Sequence, residues 1–129
     1  KNIRSNDFHI LLTLNKELIG YTLFRVRNFQ QNKKIKKYLL LDTLIVKNSY
    51  RRRKISLIIM KFNNNFIRKE KKLAFLVCRT KLIKFYKKNN WLKLKKNQFK
   101  FYNGKNNNNA FLYNHAQIKL EKKLMFYLI

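Results

Sequence analysis

The feature that most constrains this chain is the succession of three segments between Tyr38 and Cys78. "YLLLDTLIV" (Tyr38 to Val46) is almost wholly apolar, as expected of a strand covered on both faces. After a polar stretch, Ile55, Ile58, Ile59, Phe62 and Phe66 recur at spacings of three and four, the period of an amphipathic helix. "LAFLVC" (Leu73 to Cys78) then supplies a second short apolar strand. Strand, helix and strand in that order imply a parallel crossover within one sheet.

The flanking segments extend that sheet. "DFHILLTLN" and "ELIGYTLFRV" are rich in β-branched and aromatic residues and read as a hairpin turning at Asn15-Lys16. "RNFQQNKKIKK" (Arg27 to Lys37) is polar and reads as a loop. "KLIKFYKKNN" (Lys81 to Asn90) predicts a short helix with Leu82, Phe85 and Tyr86 on one side. "WLKLKK" and "QFKFYNG" alternate as half-exposed strands, "KNNNNA" (Lys105 to Ala110) is a low-complexity connection, and the last segment adds one or two strands. The expected class is α/β (α+β), a single mixed, largely antiparallel sheet flanked by helices. It occupies one domain, 1–129, with its core at about 6–96 and C-terminal strands at 97–129.

Composition narrows the partners. A hydrophobic fraction of 46% with 15% aromatics excludes disorder by composition. Lys and Arg number 32 against 5 Asp and Glu, and the resulting charge of +27 favours polyanions. Part of that excess fits compositional drift, since the chain is loaded with Lys, Asn, Ile, Phe and Tyr and has two Gly and no Pro. Cys78 stands alone, which excludes an internal disulfide framework and a cysteine zinc site. A reducing compartment is expected, hence a cytoplasmic protein. No apolar run approaches the ~18 residues of a membrane span. His9 and His115 lack metal-ligand spacing, so neither receives a site and no metal is expected.

Between Val46 and Ile55 the buried strand feeds a loop carrying four consecutive cations, Arg51, Arg52, Arg53 and Lys54, and then the helix. The first N–H groups of a helix lack intrahelical partners and its dipole favours an anion, so this point suits a phosphate or pyrophosphate. A solvated run of charge is the plainer alternative.

The order of these elements resembles the core of the GNAT family of acyl-CoA N-acyltransferases. Val46, Tyr50, Arg51 and Arg53 fit that family's acetyl-CoA motif, approximately V-x-x-x-Y/F-R-x-x-G-x-G/A, with Ser56 at the last small position. Phe85, Tyr86 and Trp91 fit a later signature, approximately F-Y-x-x-x-G-F, and Ile19, Gly20 and Tyr21 fit the apolar-Gly-apolar step of an earlier strand. The resemblance covers roughly 6–96. It implies acetyl-CoA as acyl donor, its pyrophosphate held by Arg51, Arg52, Arg53, Lys54, Ile55 and Ser56, and its pantetheine arm paired with the backbone of Leu44, Ile45 and Val46. It further implies Tyr86 as the acid that protonates the departing thiolate, and transfer to an amine on a small-molecule or macromolecular acceptor. Two positions depart from the pattern: Lys54 stands at the first glycine of the motif and Asn90 at the glycine of the second. The family's first strand and two helices are expected to be missing.

Asp42 is the carboxylate inside the central strand; by alternation it shares a face with Leu44 and Val46 and is a candidate base or amine-binding group, or else a strand acid paired with a nearby cation. Cys78 reads as a core residue. Trp91, Phe99, Phe101 and Tyr102 read as sheet packing rather than base-stacking platforms. A second function remains open: a degenerate acyltransferase fold acting as a basic RNA-binding or ribosome-associated module, for which the charge speaks. Peripheral membrane association through "KLEKKLMFYLI" is a weaker third.

Overall fold

A computed structural model describes residues 6–51, 54–101, 109–115, 117, 119, 120 and 124–127. The strands are β1 (Phe8–Leu14), β2 (Glu17–Gln31), β3 (Lys34–Val46), β4 (Ala74–Cys78), β5 (Leu92–Lys93), β6 (Phe99–Phe101), β7 (Asn109–Tyr113) and β8 (Leu124–Phe126). Helix α1 spans Ile55–Glu70 and α2 spans Ile83–Lys88. The sheet runs β5-β7-β4-β3-β2-β8-β6, with β1 sharing the outer edge of β2. The β3–β4 and β6–β8 pairs are parallel and the other pairs antiparallel, the expected mixed sheet.

Two tight turns build the β1–β2–β3 meander. Asn15 and Lys16 both have positive φ (50° and 67°), the geometry of a two-residue turn that matches strand twist. Asn32 and Lys33 repeat it (52° and 61°). The expected loop over Arg27 to Lys37 is therefore wrong. Arg27↔Tyr38 through Gln31↔Lys34 form a continuous antiparallel ladder closed by the second turn. Pairing overrides the low strand propensity of Gln, Asn and Lys here. Arg27 itself is buried: its Nη1 donates to Asp7 Oδ1 at 3.0 Å and to the Val26 carbonyl at 2.8 Å.

The core has two layers. Phe24, Val26, Leu39, Leu41, Ala74 and Leu76 meet Met60 and Ile67 of α1 and Tyr86 of α2 on one face. On the other, Tyr38, Leu40 and Phe75 meet Phe99, Phe101, Leu124 and Phe126. Phe75 on β4 stacks on Phe126 of β8 at 3.9 Å although β3 and β2 lie between those strands, so the sheet curls over its own second face. Trp91, Phe99 and Phe101 are buried as packing residues; Tyr102 lies outside the described residues. Gly20 sets how closely α1 sits on β2: a Cβ there would lie 3.0 Å from Ile59 Cδ1.

Candidate acyl-donor site

A bulge shapes the upper half of β3. Leu23 pairs with Thr43 but Phe24 pairs with Leu41, leaving Asp42 as the extra residue. The parity of the strand flips there: Leu39 and Leu41 pack under the helices, and beyond the bulge Leu44 does so. The expectation that Asp42 shares a face with Leu44 is thus corrected. Asp42 lies with Arg25, whose Nε is 3.2 Å from its Oδ2, and it also accepts from Thr43 Oγ1 at 3.3 Å.

Past the bulge β3 parts from β4. The parallel ladder holds only Leu39↔Ala74 and Leu40↔Phe75, while β3 continues to Val46 and β4 to Cys78. The other edge of β3 stays paired with β2 as far as Gly20↔Val46, and Lys47 N–H donates to the Ile19 carbonyl at 2.8 Å. By the alternation of an antiparallel ladder, Ile45 directs its backbone groups to β2, whereas Leu44 and Val46 direct theirs into the gap.

The gap leads to the start of α1. Arg51 Nε donates to the Val46 carbonyl at 3.1 Å, folding the loop back on the strand end. Glu17, from the first hairpin, clamps the same loop: it pairs with Lys47 and accepts from Tyr50 Oη at 3.3 Å. Arg52 and Arg53 lie outside the described residues. Lys54, in the glycine position of the motif, has φ 58° and ψ 20°, the left-handed conformation a glycine favours. A lysine there carries a strain of about 1 kcal/mol. Its carbonyl accepts from Leu57 and Ile58, so the N–H groups of Ile55 and Ser56 precede the first intrahelical bond. No acid occupies that first turn.

From this point a cleft of about 470 Å³ runs between α1 and the end of α2, lined by Lys54, Lys61 and Lys88 together with Asn64, Asn89 and Asn90. Asn64 ties the two walls together, its Oδ1 accepting from Trp91 Nε1 and its Nδ2 donating to the Asn89 carbonyl, both at 2.9 Å. Asn90, the second glycine-position residue, has φ 71°. Its N–H donates to the Lys87 carbonyl and that of Trp91 to the Tyr86 carbonyl, both at 3.1 Å, the paired bonds of a Schellman helix end.

Tyr86 is buried between the end of β4 and Trp91, with its ring 5.8 Å from that of Phe111. Burial, and secondarily the Cys78 sulfur, push its pKa up to about 12, so the phenol is neutral near pH 7. Cys78 is buried, as expected of a core residue, and burial raises its pKa too. His9 is exposed and bonded to Tyr21 Oη at 2.7 Å. Among the described residues no three His, Cys, Asp or Glu side chains converge on a metal site, and no helix is long and apolar enough to cross a membrane.

The sequence reading missed Glu17 and Asn64. Glu17 carried a signal, as one of five acids in so basic a chain. Asn64 was hidden in "NNN", which drift also produces.

No protein-family model and no curated protein matches the sequence. Solved structures do. Escherichia coli ElaA superposes with a TM-score of 0.60 at 15% identity, over 84% of this chain and 68% of its own. The Bacillus subtilis N-acetyltransferase YlbP, solved with coenzyme A, gives 0.57 at 16% over 81% and 66%. The E. coli GNAT family N-acetyltransferase YhbS, in complex with CoA, gives 0.68 at 10% over 92% and 66%. This chain thus spans about two thirds of the length of these structures. The fold they share with it is that of the GNAT N-acetyltransferases.

Proposed function

Taking the GNAT fold as the premise, we propose that this chain binds acetyl-CoA and transfers its acetyl group to an amine. The observation that carries the reading is the parting of β3 from β4 beyond Leu40 and Phe75, directly upstream of the α1 N-terminus. An extended pantetheine arm fits that gap as an additional strand, against the backbone groups of Leu44 and Val46, with Ile45 holding the strand to β2. The N–H groups of Ile55 and Ser56, the helix dipole and Lys54 receive the pyrophosphate, with Arg51 bracing the loop and Arg52 and Arg53 adding charge. Lys61 and Lys88 extend the cationic wall for the nucleotide end.

The donor supplies an acetyl group activated as a thioester. The chain's own residues supply position and protons. Holding amine and thioester together accounts for much of the acceleration, and the N–H groups facing the gap polarise the carbonyl oxygen. The amine reacts in its neutral form, after giving its ammonium proton to solvent. As the C–N bond forms and the C–S bond breaks, Tyr86 Oη gives its proton to the sulfur and recovers one from solvent as the nitrogen releases its surplus proton. Asp42, on the opposite face at the bulge, attracts the cationic amine before reaction. The acceptor is an amine of unassigned carrier.

Calorimetric titration of acetyl-CoA into nucleic-acid-free protein tests this. Expected are one saturable site per chain, weakened at least tenfold in Arg51→Ala, and a Tyr86→Phe variant that binds normally but releases CoA thiol to amines about 10²-fold more slowly. Absence of saturable binding, or equal binding of inorganic pyrophosphate, overturns the reading.

A further inference from the structure

A second cationic concavity lies at the far end of the β2–β3 ladder. It measures about 380 Å³ and is lined by Gln31, Asn32, Lys34, Lys36, Lys119 and Leu120. Lys34 and Lys36 are exposed alternate residues of β3 and therefore share a face. Lys119 comes from 83 positions further along than Lys36 and is held beside them by a neutral side chain, not by charge. Gln31 Nε2 donates to its carbonyl at 2.9 Å. Beyond it, β8 pairs with β2 at Phe29↔Phe126, Tyr127 N–H donates to the Asn28 carbonyl at 2.9 Å, and Tyr38 Oη donates to the Tyr127 carbonyl at 2.8 Å. Tertiary pairing thus gathers three lysines around one hollow, and among the described residues no carboxylate lines it.

Like charges brought together in this way repel, and an anion seated among them removes that cost. The donors are Lys ammonium groups and two side-chain amides, with no Arg fork. Ammonium groups bind phosphate as point charges, and contacts of that kind to a phosphate backbone carry no sequence information. The place matters as well. The hollow is separated from the α1 start by the length of β3, about 40 Å at 3.3 Å per residue, so no single small anion reaches both. The hollow is therefore independent of the α1 start, and a duplex, with one charge per about 1.7 Å of axis, offers it several phosphates at once.

We propose that the hollow formed by Lys34, Lys36 and Lys119 binds the phosphodiester backbone of a nucleic acid. The proposal does not rest on the acyltransferase reading. It assigns to these three residues a contact that the overall charge of +27 leaves unlocated.

Fluorescence anisotropy of the intact chain with labelled RNA and DNA duplexes of about 20 base pairs, across a salt series, tests it. Two charge-matched triple variants are compared: Lys34→Gln with Lys36→Gln and Lys119→Gln, and, as control, Lys69→Gln with Lys81→Gln and Lys84→Gln, all exposed elsewhere. The first triple is expected to weaken binding at least tenfold and to lower the salt slope by about 2–3, one per lost phosphate contact, while the control changes affinity less than twofold. Preference for RNA or DNA identifies the source of the phosphates and supports the proposal either way. Equal losses in both triples would show that net charge alone binds, and no loss in either would remove the hollow from the interface. Polyglutamate competing as well as nucleic acid would make the ligand an acidic polypeptide. Each of these three results overturns the proposal.

Discussion

The two halves of β3 began with the same opportunity and were used differently. From Lys34 to Leu40 the strand is paired with β2 and, at Leu39 and Leu40, with β4 as well. From Leu44 to Val46 it keeps β2 but has parted from β4, because one inserted residue, Asp42, re-aims it. The lesson is that a single bulge decides which backbone groups of a strand stay in the sheet and which face away from it. A fully laddered strand has no backbone groups to offer a ligand; a parted one presents them in a fixed direction.

That contrast can be broken most directly with proline. Ile45 gives its N–H to the β2 ladder, so Ile45→Pro removes a ladder bond and strands its acceptor, at an expected cost of about 1–3 kcal/mol in urea unfolding. Leu44 gives its N–H to the gap, so Leu44→Pro should cost markedly less yet abolish saturable acetyl-CoA binding. Equal destabilisation by the two would mean that the halves do not differ. Gly20→Val strikes the contact that seats α1 beside the parted half. Ile59 is fully buried and has little room to move, so a loss of about 1–3 kcal/mol is expected in the same assay.

Alkaline unfolding sharpens the comparison at Tyr86. The folded chain holds this proton more tightly than the unfolded chain, so the stabilisation is complete below pH about 10 and is lost as pH rises towards about 12. The contribution is roughly 2 kcal/mol, and Tyr86→Phe should flatten that part of the stability profile. The smallest effect belongs to Lys54→Gly, expected to stabilise the chain by about 1 kcal/mol through relief of the left-handed strain. Its acetyl-CoA affinity should fall only severalfold, since the backbone conformation persists while one cation is lost. A rise in affinity would mean that the lysine side chain obstructs the phosphate.

Much of this was legible beforehand. The apolar runs of β3 and β4 and the three-four spacing of α1 report burial, which depends on local pattern, and they fixed the crossover correctly. Asn15-Lys16 announced its turn; Asn32-Lys33 announced an identical one that polar flanks concealed. Lys54 and Asn90 were recognised as replacements for glycine, and each adopts the left-handed backbone its position demands.

What the sequence by itself determined, then, is the order of the elements, their buried faces and the point where a strand hands over to a helix. Tertiary structure alone decided which strand edges went unpaired, on which side of β3 Asp42 came to lie, how Glu17 reached the loop across the first hairpin and how Lys119 came to face Lys34. The reason is physical. Burial is written residue by residue in apolar spacing, but register, bulges and the meeting of distant charges are settled only when two strands pair, and that choice minimises the energy of the whole sheet rather than of any segment.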